Sequence, residues 1–469
     1  MPALTLDHVA LATGARRLGP AEAGERPVAR VVVDSRAVCP GDLFVALPGA
    51  RTDGHRFVAE VAAAGAAGAL CVHGRGPRPE GFPVLTVDDT VAALGRLARH
   101  QLGRLGAEVL GVTGTVGKTT AKDFLGALLG GAAAGVHVAP ASYNSEIGLP
   151  LSILGAAEGT RLLVLEYGVN APGEMERLVR IARPDEAWLT ALTEVHLEGM
   201  GDFPTLVREK ARLLAAVPEA GRAWLGPGAV APLAAHAAAP PAPVIACAGL
   251  AEPGLVIHAR RPLRWVVEDP RLGRVVLPVI APHEAETALV AARIAALRGV
   301  APELLAERLA ALRRPAGRLE LRRRGALTVL DDGYNSSPAA LDAALAVWAE
   351  WGEWEGVSDR HLVLGPMLEL GAAHERLHRA AGRRVAALRP RSLVVLGAAA
   401  APLAAGALEA GLTADAVLVT DDPERAASWL AGRFGPRPLL LLKGSRAAAV
   451  ERVIQALSSF PSRPVALEG

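Results

Sequence analysis

The sequence predicts an α/β protein of three regions, the last of which forms a doubly wound parallel sheet. Apolar strand patterns alternate with helical patterns along most of the chain. The apolar runs of the last region, such as LLLLKGS, are continuous, which is typical of strands that are buried on both faces. The length of 469 residues is enough for roughly two to four domains with separate cores.

Composition and charge narrow the class of protein. The chain is 51% hydrophobic and 21% charged, so we expect a globular rather than a disordered protein. Aromatic residues make up only 4%, so Ala, Val and Leu must build the core. The formal net charge of +2 gives no electrostatic reason to expect nucleic acid or a membrane surface as a partner.

Cysteine usage and the first residues predict a cytoplasmic protein. Cys39, Cys71 and Cys247 are far apart and in no metal-ligand spacing, which fits a reducing compartment. The start, MPALTLDHVALATGARRL, lacks the charged and apolar segments of a secretory signal. The Ala/Gly-rich run SLVVLGAAAAPLAAGALEAGL contains Pro402 and is broken by Glu409, so it predicts a strand and a helix rather than a membrane span.

The order of the patterns divides the chain into three domains. Residues 1–103 contain short strands (ARVVVDS, DLFVALP, GALCV and FPVLTV) around one Ala-rich helix, RFVAEVAAAG. Residues 104–312 alternate strand and helix, and their Ala/Pro-rich segment 231–249 predicts irregular structure. Residues 313–469 begin with RRPAGR, which suits a linker, and contain five apolar strands, each followed by a helical pattern.

The segment EVLGVTGTVGKTT, residues 108–120, predicts a phosphate-binding loop. A strand runs into a Gly-rich turn and then a helix, whose N-terminus and backbone N–H groups attract phosphate. Lys118 can reach the terminal phosphates and Thr119 can bind Mg²⁺. Val112 stands where the general pattern has its first glycine, so a turn without a ligand is the alternative. The predicted nucleotide contacts are Thr113, Gly114, Thr115, Val116, Gly117, Lys118, Thr119 and Thr120.

Three acidic or imidazole side chains follow the next two strands. Glu166 ends the strand pattern RLLVLEYG, and His196 and Glu198 follow the strand after it on a Gly-rich loop. Because parallel strands end at the edge that carries the phosphate loop, these side chains could hold Mg²⁺ directly or through water. For each of them taken alone, a structural role at a strand end is the alternative.

Lysine is rare in this chain. The 50 Lys plus Arg residues include only four lysines, which are Lys118, Lys122, Lys210 and Lys443. Lys210 lies in the helical pattern VREKARLL, where an amine could clamp phosphate or react with CO₂ to give an anionic carbamate. Arginine cannot form the carbamate, because its guanidinium does not deprotonate in proteins. By spacing alone, a carbamate and a surface lysine without a role are equally open.

Together these segments resemble the Mur ligases, ATP-dependent amide-forming enzymes of peptidoglycan synthesis, over essentially the whole chain. TGTVGKTT is similar to their P-loop, SYNSEIGLP to the stretch after the first central helix, and LEYG and HLEGMG to their Mg²⁺-binding segments. Lys210 falls where the family carries a carbamylated lysine. The resemblance implies nucleotide binding by Asn144, catalytic roles for Lys118, His196 and Lys210, and two Mg²⁺ ions held by Thr119, Glu166, His196 and carbamylated Lys210.

The last region resembles the branch of the family that adds D-Ala-D-Ala. The segments GRLELRRRGALTVLDDGYNSSPAAL, VLGPMLELG (with Pro366 where Asp is usual) and LLKGSR are similar to its signatures. The branch that adds the third amino acid usually has a Tyr-Ala-His form in the first of these and an Asp-Asn-Pro motif, and no Asp-Asn-Pro occurs here. The resemblance implies nucleotide contacts from Arg318 and Asp332, and substrate contacts from Tyr334, Asn335, Lys443, Ser445 and Arg446.

Two further segments carry weaker resemblances. VDSRAVCPGDLFVALPGARTDGHRFV resembles the family's UDP-sugar-binding domain and implies contacts from Ser35 and Arg36 to uridine or diphosphate, with a turn between two strands as the alternative. APHEAETALVAA departs from the family's Gly-x-His-Asn-x-x-Asn, since it keeps His283 but has Glu284 and Thr287 in place of the asparagines. His283 stays a nucleotide candidate, and Glu284 either accepts from the adenine amino group or relaxes the choice of base.

The resemblance implies a UDP-sugar-binding α/β domain, a central P-loop ATPase domain and a C-terminal Rossmann-like domain. It also implies a cytoplasmic, monomeric, ADP-forming ligase that joins D-Ala-D-Ala to a UDP-N-acetylmuramoyl tripeptide through an acyl phosphate. One alternative is another Mur-type or folylpolyglutamate-type ligase. A second, of a different class, is a P-loop ATPase switch that gates a protein partner.

Overall fold

The computed structural model describes residues 4–49, 52–194, 197–457 and 462–463. These residues form two compact units, which are described separately. Unit 1 comprises Met1–Gly114, Leu125–Thr190 and Val207–Ala246, and unit 2 comprises Thr115–Phe124, Ala191–Leu206 and Cys247–Gly469. Among the described residues, no helix combines the length and the apolar run that crossing a bilayer requires.

The first part of unit 1 is a mixed sheet with the strand order β2-β7-β6-β5-β4. Strand β2 is antiparallel to β7 and the other pairs are parallel, while β1 pairs separately with β3. In chain order, the elements are β1 (Leu4–Thr5), α1 (Leu6–Thr13), β2 (Arg16–Leu18), β3 (Pro27–Val28), β4 (Val31–Val32), β5 (Leu43–Val45), α2 (Val58–Ala63), β6 (Gly68–Val72), β7 (Val84–Val87) and α3 (Thr90–Leu105).

The prediction of a single helix in this region was wrong, because α1 and α3 are also helical. Helix α3 begins after Asp89, whose side chain accepts hydrogen bonds from two first-turn N–H groups, and ends at Gly106 with φ 60°. Small residues such as Ala93, Gly95 and Ala98 form much of its buried face. They weaken the apolar periodicity from which a helix is recognised in a sequence.

The second part of unit 1 is an all-parallel sheet with the order β13-β12-β11-β8-β10-β9. The predicted alternation of strand and helix is confirmed, but 231–249 is not wholly irregular, since it contains most of a helix and a short edge strand. In chain order, the elements of this region are β8 (Glu108–Thr113), α4 (Lys118–Leu129), β9 (Val136–Val138), α5 (Gly148–Leu154), β10 (Leu162–Glu166), α6 (Glu174–Ile181), β11 (Glu186–Leu189), α7 (Leu197–Met200), α8 (Phe203–Ala215), β12 (Arg222–Leu225), α9 (Val230–His236) and β13 (Val244–Ala246). Of these, α7 and the first residues of α4 and α8 are assigned to unit 2.

Unit 2 contains an antiparallel three-stranded sheet that the sequence did not predict. It is formed by β14 (Val256–Arg261), β15 (Arg264–Asp269) and β16 (Gly273–Leu277), and is followed by α10 (Pro282–Leu297) and α11 (Pro302–Ala310). Strand β14 is largely exposed and rich in arginine, so it lacks the apolar alternation of a half-buried strand.

The rest of unit 2 is a seven-stranded sheet with the order β21-β20-β19-β22-β18-β17-β23. The five predicted strands pair in parallel as expected, and β17 and β23 extend the sheet antiparallel. In chain order, the elements are β17 (Glu320–Arg324), β18 (Leu327–Asp332), α12 (Pro338–Trp354), β19 (Arg360–Leu364), α13 (His374–Ala387), β20 (Ser392–Leu396), α14 (Ala401–Glu409), β21 (Val417–Thr420), α15 (Pro423–Ala431), β22 (Leu439–Lys443), α16 (Glu451–Ala456) and β23 (Ser462–Arg463).

Helices cover both faces of this sheet. Leu439 and Leu441 belong to one buried cluster with Trp348 of α12, whereas Leu440 and Leu442 belong to a second cluster on the other face. This division explains why the first four positions of LLLLK are all apolar. The sheet is therefore doubly wound, as its continuous apolar strands predicted.

Candidate functional site

The predicted phosphate loop follows β8 and is held by hydrogen bonds within unit 2. Thr115 donates its backbone N–H to the carbonyl of Ala191 (2.8 Å), and its hydroxyl oxygen accepts the N–H of Thr193 (2.9 Å). The Lys118 Nζ lies 3.5 Å from the carbonyl oxygen of Thr115, so the amine folds back over the loop. Gly117 has φ 81°, a conformation that favours glycine, and a Cβ there would meet no atom within 4 Å.

The remaining loop residues differ in what their side chains can do. The hydroxyl of Thr113 donates to the carbonyl of Tyr167 (2.8 Å), so this predicted nucleotide contact also has a structural role. Thr119 is buried at the start of α4, while Val116 and Thr120 are half-buried. Gly114, at φ 150°, completes the turn out of the strand.

Asn144 and Glu166, both predicted site residues, are in contact in unit 1. The Asn144 Nδ2 donates to Glu166 Oε1 over 2.8 Å, and Glu166 is only 1% exposed. Glu166 is the register partner of Val112, so it lies at the sheet edge at which β8 ends. A Cβ on Gly168 would lie 2.7 Å from Asn144 Cγ, so this position must be glycine for Asn144 to keep its place.

Lys210 is buried on α8, at 3% exposure, so the alternative of a surface lysine is wrong. The carboxylate of its neighbour Glu209 is already engaged, since it accepts the N–H of Met175 (2.8 Å) and pairs with Arg212 (3.0 Å). Most cationic positions of this chain are arginine, and Lys210 is one of only four lysines. Because a buried amine is costly unless it is paired, its burial requires a specific chemical environment for the amine.

The predicted Mg²⁺ ligands are described by the structure only in part. His196 lies outside the described residues, and Glu198 is exposed on α7. Within the described ranges, no three His, Cys, Asp or Glu side chains cluster in a way that could hold a metal. The Glu166 carboxylate and the Thr119 hydroxyl are hard oxygen donors of the kind that Mg²⁺ prefers, and a carbamate on Lys210 would be a third. The chemistry of these donors therefore fits Mg²⁺.

A second group of predicted residues meets at the carboxyl ends of β18 and β22. Asp332 and Lys443 are register partners, and the Lys443 Nζ lies 2.5 Å from Asp332 Oδ2 and 3.1 Å from the carbonyl oxygen of Asn335. The other oxygen of Asp332 accepts the N–H of Leu319 (3.2 Å). Lys443 is 2% exposed, so it acts here as a buried structural cation that fixes the Asp332 and Asn335 loop.

Three more predicted residues stack beside this pair. The guanidinium carbon of Arg318 lies 4.3 Å from the centre of the Tyr334 ring, and that of Arg446 lies 6.0 Å from it. Arg446 also pairs with Glu451 (3.0 Å). The hydroxyl of Ser445 is buried and has no hydrogen-bond partner among the residues that the structure describes, so it is available to a ligand.

Sequence reasoning missed Asp331, the residue before Asp332. Its Oδ1 accepts the N–H of Gly333 (3.1 Å) and its Oδ2 pairs with Arg322 (2.9 Å), so it shapes the turn that presents Tyr334. Burial raises the pKa of Asp331. The two consecutive aspartates at the end of β18 were the signal in the sequence that could have identified Asp331.

His283 and Glu284 occupy the first turn of α10. Glu284 Oε2 accepts the backbone N–H groups of Ile280 (2.8 Å) and Ala281 (3.1 Å), and the Arg314 Nε lies 3.8 Å from Oε1. Glu284 is therefore a helix cap, which leaves little of its carboxylate for an adenine amino group. His283 is exposed, and its carbonyl accepts the hydroxyl of Thr287 (2.7 Å).

Ser35 and Arg36 lie in a 3₁₀ turn between β4 and β5. The Arg36 guanidinium donates to both oxygens of Asp34 (2.9 and 2.7 Å), and its hydrogen bonds lower the pKa of Asp34 to about 2. The Arg36 side chain is 85% exposed. The turn is well defined by its own contacts, and the contact of these residues with a nucleotide sugar stays a prediction.

Comparison with known proteins places the chain in a family. The Mur ligase catalytic domain matches residues 27–102, the Mur ligase middle domain 112–231, and the Mur ligase glutamate ligase domain 317–446. A relative from Bacillus subtilis, named UDP-N-acetylmuramoyl-tripeptide–D-alanyl-D-alanine ligase, is 31% identical over 92% of this chain and 93% of its own.

Two solved structures share the fold. A crystal structure of MurF from Acinetobacter baumannii has 25% identity, covers 98% of this chain and 99% of its own, and gives a TM-score of 0.82. MurF from Thermotoga maritima, solved in complex with ADP, has 27% identity, covers 92% and 97%, and gives a TM-score of 0.76. The predicted three-domain α/β fold class is confirmed, and this chain belongs to the Mur ligase family.

Proposed function

We propose that this chain is a MurF-type ligase, which joins D-Ala-D-Ala to a UDP-N-acetylmuramoyl tripeptide and converts ATP to ADP and phosphate. The observation that carries the proposal is the cluster in which Lys443 holds Asp332 and Asn335 beside Tyr334. These residues come from two of the three segments that resemble the D-Ala-D-Ala-adding branch. The name of the Bacillus subtilis relative and the ADP complex of the Thermotoga maritima structure also support it.

The reaction requires activation of a carboxylate. A carboxylate oxygen of the tripeptide attacks the γ-phosphorus of ATP, ADP leaves, and an acyl phosphate forms. The amine of D-Ala-D-Ala then attacks the acyl carbon, and a tetrahedral intermediate collapses to the amide, releasing phosphate and a proton. Such catalysis consists mainly of positioning and charge neutralisation.

The residues of this chain would share that work as follows. The N–H groups of the phosphate loop and the amine of Lys118 would bind the terminal phosphates, and the bonds of Thr115 to Ala191 and Thr193 keep the loop in shape. Asn144 would hold the Glu166 carboxylate in one orientation. His283, Arg318 and Asp332 are proposed nucleotide contacts.

Thr119 and Glu166 are the proposed ligands of one Mg²⁺ ion, and Glu166, His196 and carbamylated Lys210 of a second. When bound, these ions would supply positive charge beside the phosphate oxygens and the acceptor carboxylate. The carbamate forms when the neutral lysine nitrogen bonds to the carbon of CO₂ and loses a proton. The burial of Lys210 supports this role, because it removes the amine from bulk water.

Substrate contacts are proposed for both ends of the chain. Ser35 and Arg36 would bind the UDP-sugar, and the buried Ser445 hydroxyl, with Tyr334, Asn335, Lys443 and Arg446, would line the dipeptide side. We also propose domains at 1–103, 104–312 and 313–469, because one family match falls within each. A cytoplasmic monomer that serves cell-wall synthesis, and with it cell shape and division, completes the proposal.

Mass analysis of the product tests the function. Incubation with UDP-muramoyl tripeptide, D-Ala-D-Ala and ATP should give a product whose mass equals that of the UDP-muramoyl tripeptide plus D-Ala-D-Ala minus one water. Phosphate release should require both the UDP-muramoyl tripeptide and D-Ala-D-Ala. Addition of a single amino acid instead would indicate a neighbouring ligase, and ATP hydrolysis without any carboxylate acceptor would indicate a switch. Lys118→Met should abolish the product, whereas Arg78→Met, which removes an exposed cation, should not.

A further inference from the structure

The loops that follow β19 and β22 are joined backbone to backbone. Gly365 donates its N–H to the carbonyl of Lys443 (2.7 Å), and Ser445 donates its N–H to the carbonyl of Pro366 (3.0 Å). A Cβ on Gly365 would lie 2.9 Å from Ala448 Cβ, 3.0 Å from Val450 Cγ1 and 3.2 Å from the Cα of Gly444, so the two loops are closely packed here. The positions of Lys443 and Ser445 in space therefore depend on where residues 365–367 lie.

A buried histidine holds the next residue of that loop. Met367 donates its backbone N–H to Nε2 of His378 (3.0 Å), and Nδ1 of His378 lies 2.8 Å from the carbonyl oxygen of His374. An amide N–H can only donate and a carbonyl can only accept, so the ring must be neutral with its proton on Nδ1. Met367 and His378 are both 0% exposed, so water cannot replace the bond.

The surroundings of His378 favour the neutral ring. Burial lowers the pKa of His378, and His374, whose ring centroid lies 4.1 Å away, lowers it further, while the hydrogen bond to the His374 carbonyl opposes both. Three acidic side chains of the two helices packed on α13 are held in ion pairs, one of them, Glu350 of α12, with Arg260. Glu409 of α14 pairs with Arg379 and Arg383, and Asp342 of α12 pairs with Arg384.

We propose that His378 is a positioning residue for the dipeptide side of the ligase site, acting through Met367 and Pro366 on Ser445 and Lys443. The inference rests on the proposed function only in naming the dipeptide side. A protonated imidazole has two donors and cannot accept the Met367 N–H. Protonation therefore leaves a buried amide without a partner and releases the loop that sets the Ser445 and Lys443 positions.

Two substitutions separate the hydrogen bond from simple packing. His378→Leu fills the space without an acceptor, and we expect kcat/KM for D-Ala-D-Ala to fall by about tenfold or more. His378→Gln places an amide oxygen where Nε2 lies and an amide nitrogen towards His374, so it should stay within about threefold of the wild type. The exposed His258 offers a matched control, and His258→Gln should change nothing.

The pH dependence of kcat/KM and the hydrogen exchange of the Met367 amide would not change if His378 served only in packing. Wild-type kcat/KM should fall as pH drops below the ordinary histidine range, and His378→Gln should lose that part of the fall. Hydrogen exchange of the peptide containing Met367 should be slow in the wild type at neutral pH, and faster in His378→Leu or in acidified wild type.

Unchanged kinetics in folded His378→Leu would overturn the inference. So would a His378→Gln variant whose kcat/KM falls at low pH as that of the wild type does. If the Leu variant does not fold, the Gln variant and the wild-type profile still decide. A wild type that makes no D-Ala-D-Ala product would count against the proposed function instead. In that case amide exchange at Met367 still tests what His378 does.

Discussion

Replacement of Glu284 by alanine should lower the free energy of unfolding of unit 2 by roughly 2–6 kcal/mol, because two buried N–H groups lose their acceptor at about 1–3 kcal/mol each. These groups belong to Ile280 and Ala281, which are fully buried, so solvent cannot compensate for the loss. The change also removes the carboxylate that lies 3.8 Å from the Arg314 guanidinium, which is itself mostly buried.

Denaturant unfolding followed by tryptophan fluorescence measures this loss, with the KM for ATP determined on the same variants. Glu284→Gln keeps an oxygen acceptor and should lose only part of the stability, with an unchanged KM for ATP. Glu303→Ala is the matched control, since Glu303 lies in the first turn of α11 but is exposed, and its loss should cost less than about 1 kcal/mol. A stable Glu284→Gln variant with a strongly raised KM for ATP would refute the capping role and restore adenine recognition.

Substitutions at three further positions test other parts of the structure. Lys210→Arg should abolish ligation while the thermal unfolding midpoint stays close to that of the wild type, and Lys210→Ala should recover part of its activity with a short carboxylic acid; full activity of the arginine variant would rule out the carbamate. Gly168→Ala should reduce ligation by at least about tenfold, because its Cβ would lie 2.7 Å from Asn144 Cγ, and an unaffected rate would mean that the placement of Asn144 is unimportant. Gly382→Ala should destabilise the fold by several kcal/mol, roughly the cost of overpacking, since its Cβ would lie 2.0 Å from the Leu403 carbonyl oxygen; calorimetry that detects no change would contradict this close helix contact.

The sequence was most informative where local pattern and burial coincide. The runs LLLL of β22 and LVVL of β20 are apolar at every position because both faces of the sheet are covered, so their parallel arrangement could be predicted. Rarity was the second signal. Lys210 and Lys443 stood out among arginines, and both are buried in the structure.

Other features could not be predicted, because they depend on contacts with residues distant in the chain or with backbone groups. That Glu284 caps its own helix follows from where Ile280 and Ala281 lie, which residue type alone does not reveal. Strand β14 could not be predicted from the sequence, because most of its side chains are exposed to solvent and show no apolar alternation. Lys443 was predicted as a substrate contact, but its ion pair with Asp332 becomes visible only when β18 and β22 are placed side by side.

The burial of three of the four lysines has a practical consequence for labelling chemistry. Lys122, Lys210 and Lys443 are at most 3% exposed, whereas Lys118 in the phosphate loop is half-buried. Among the lysines of the folded chain, an amine-acylating reagent such as a succinimidyl ester should therefore modify mainly Lys118. Protection of Lys118 by a bound triphosphate would then report nucleotide occupancy directly from a peptide mass map.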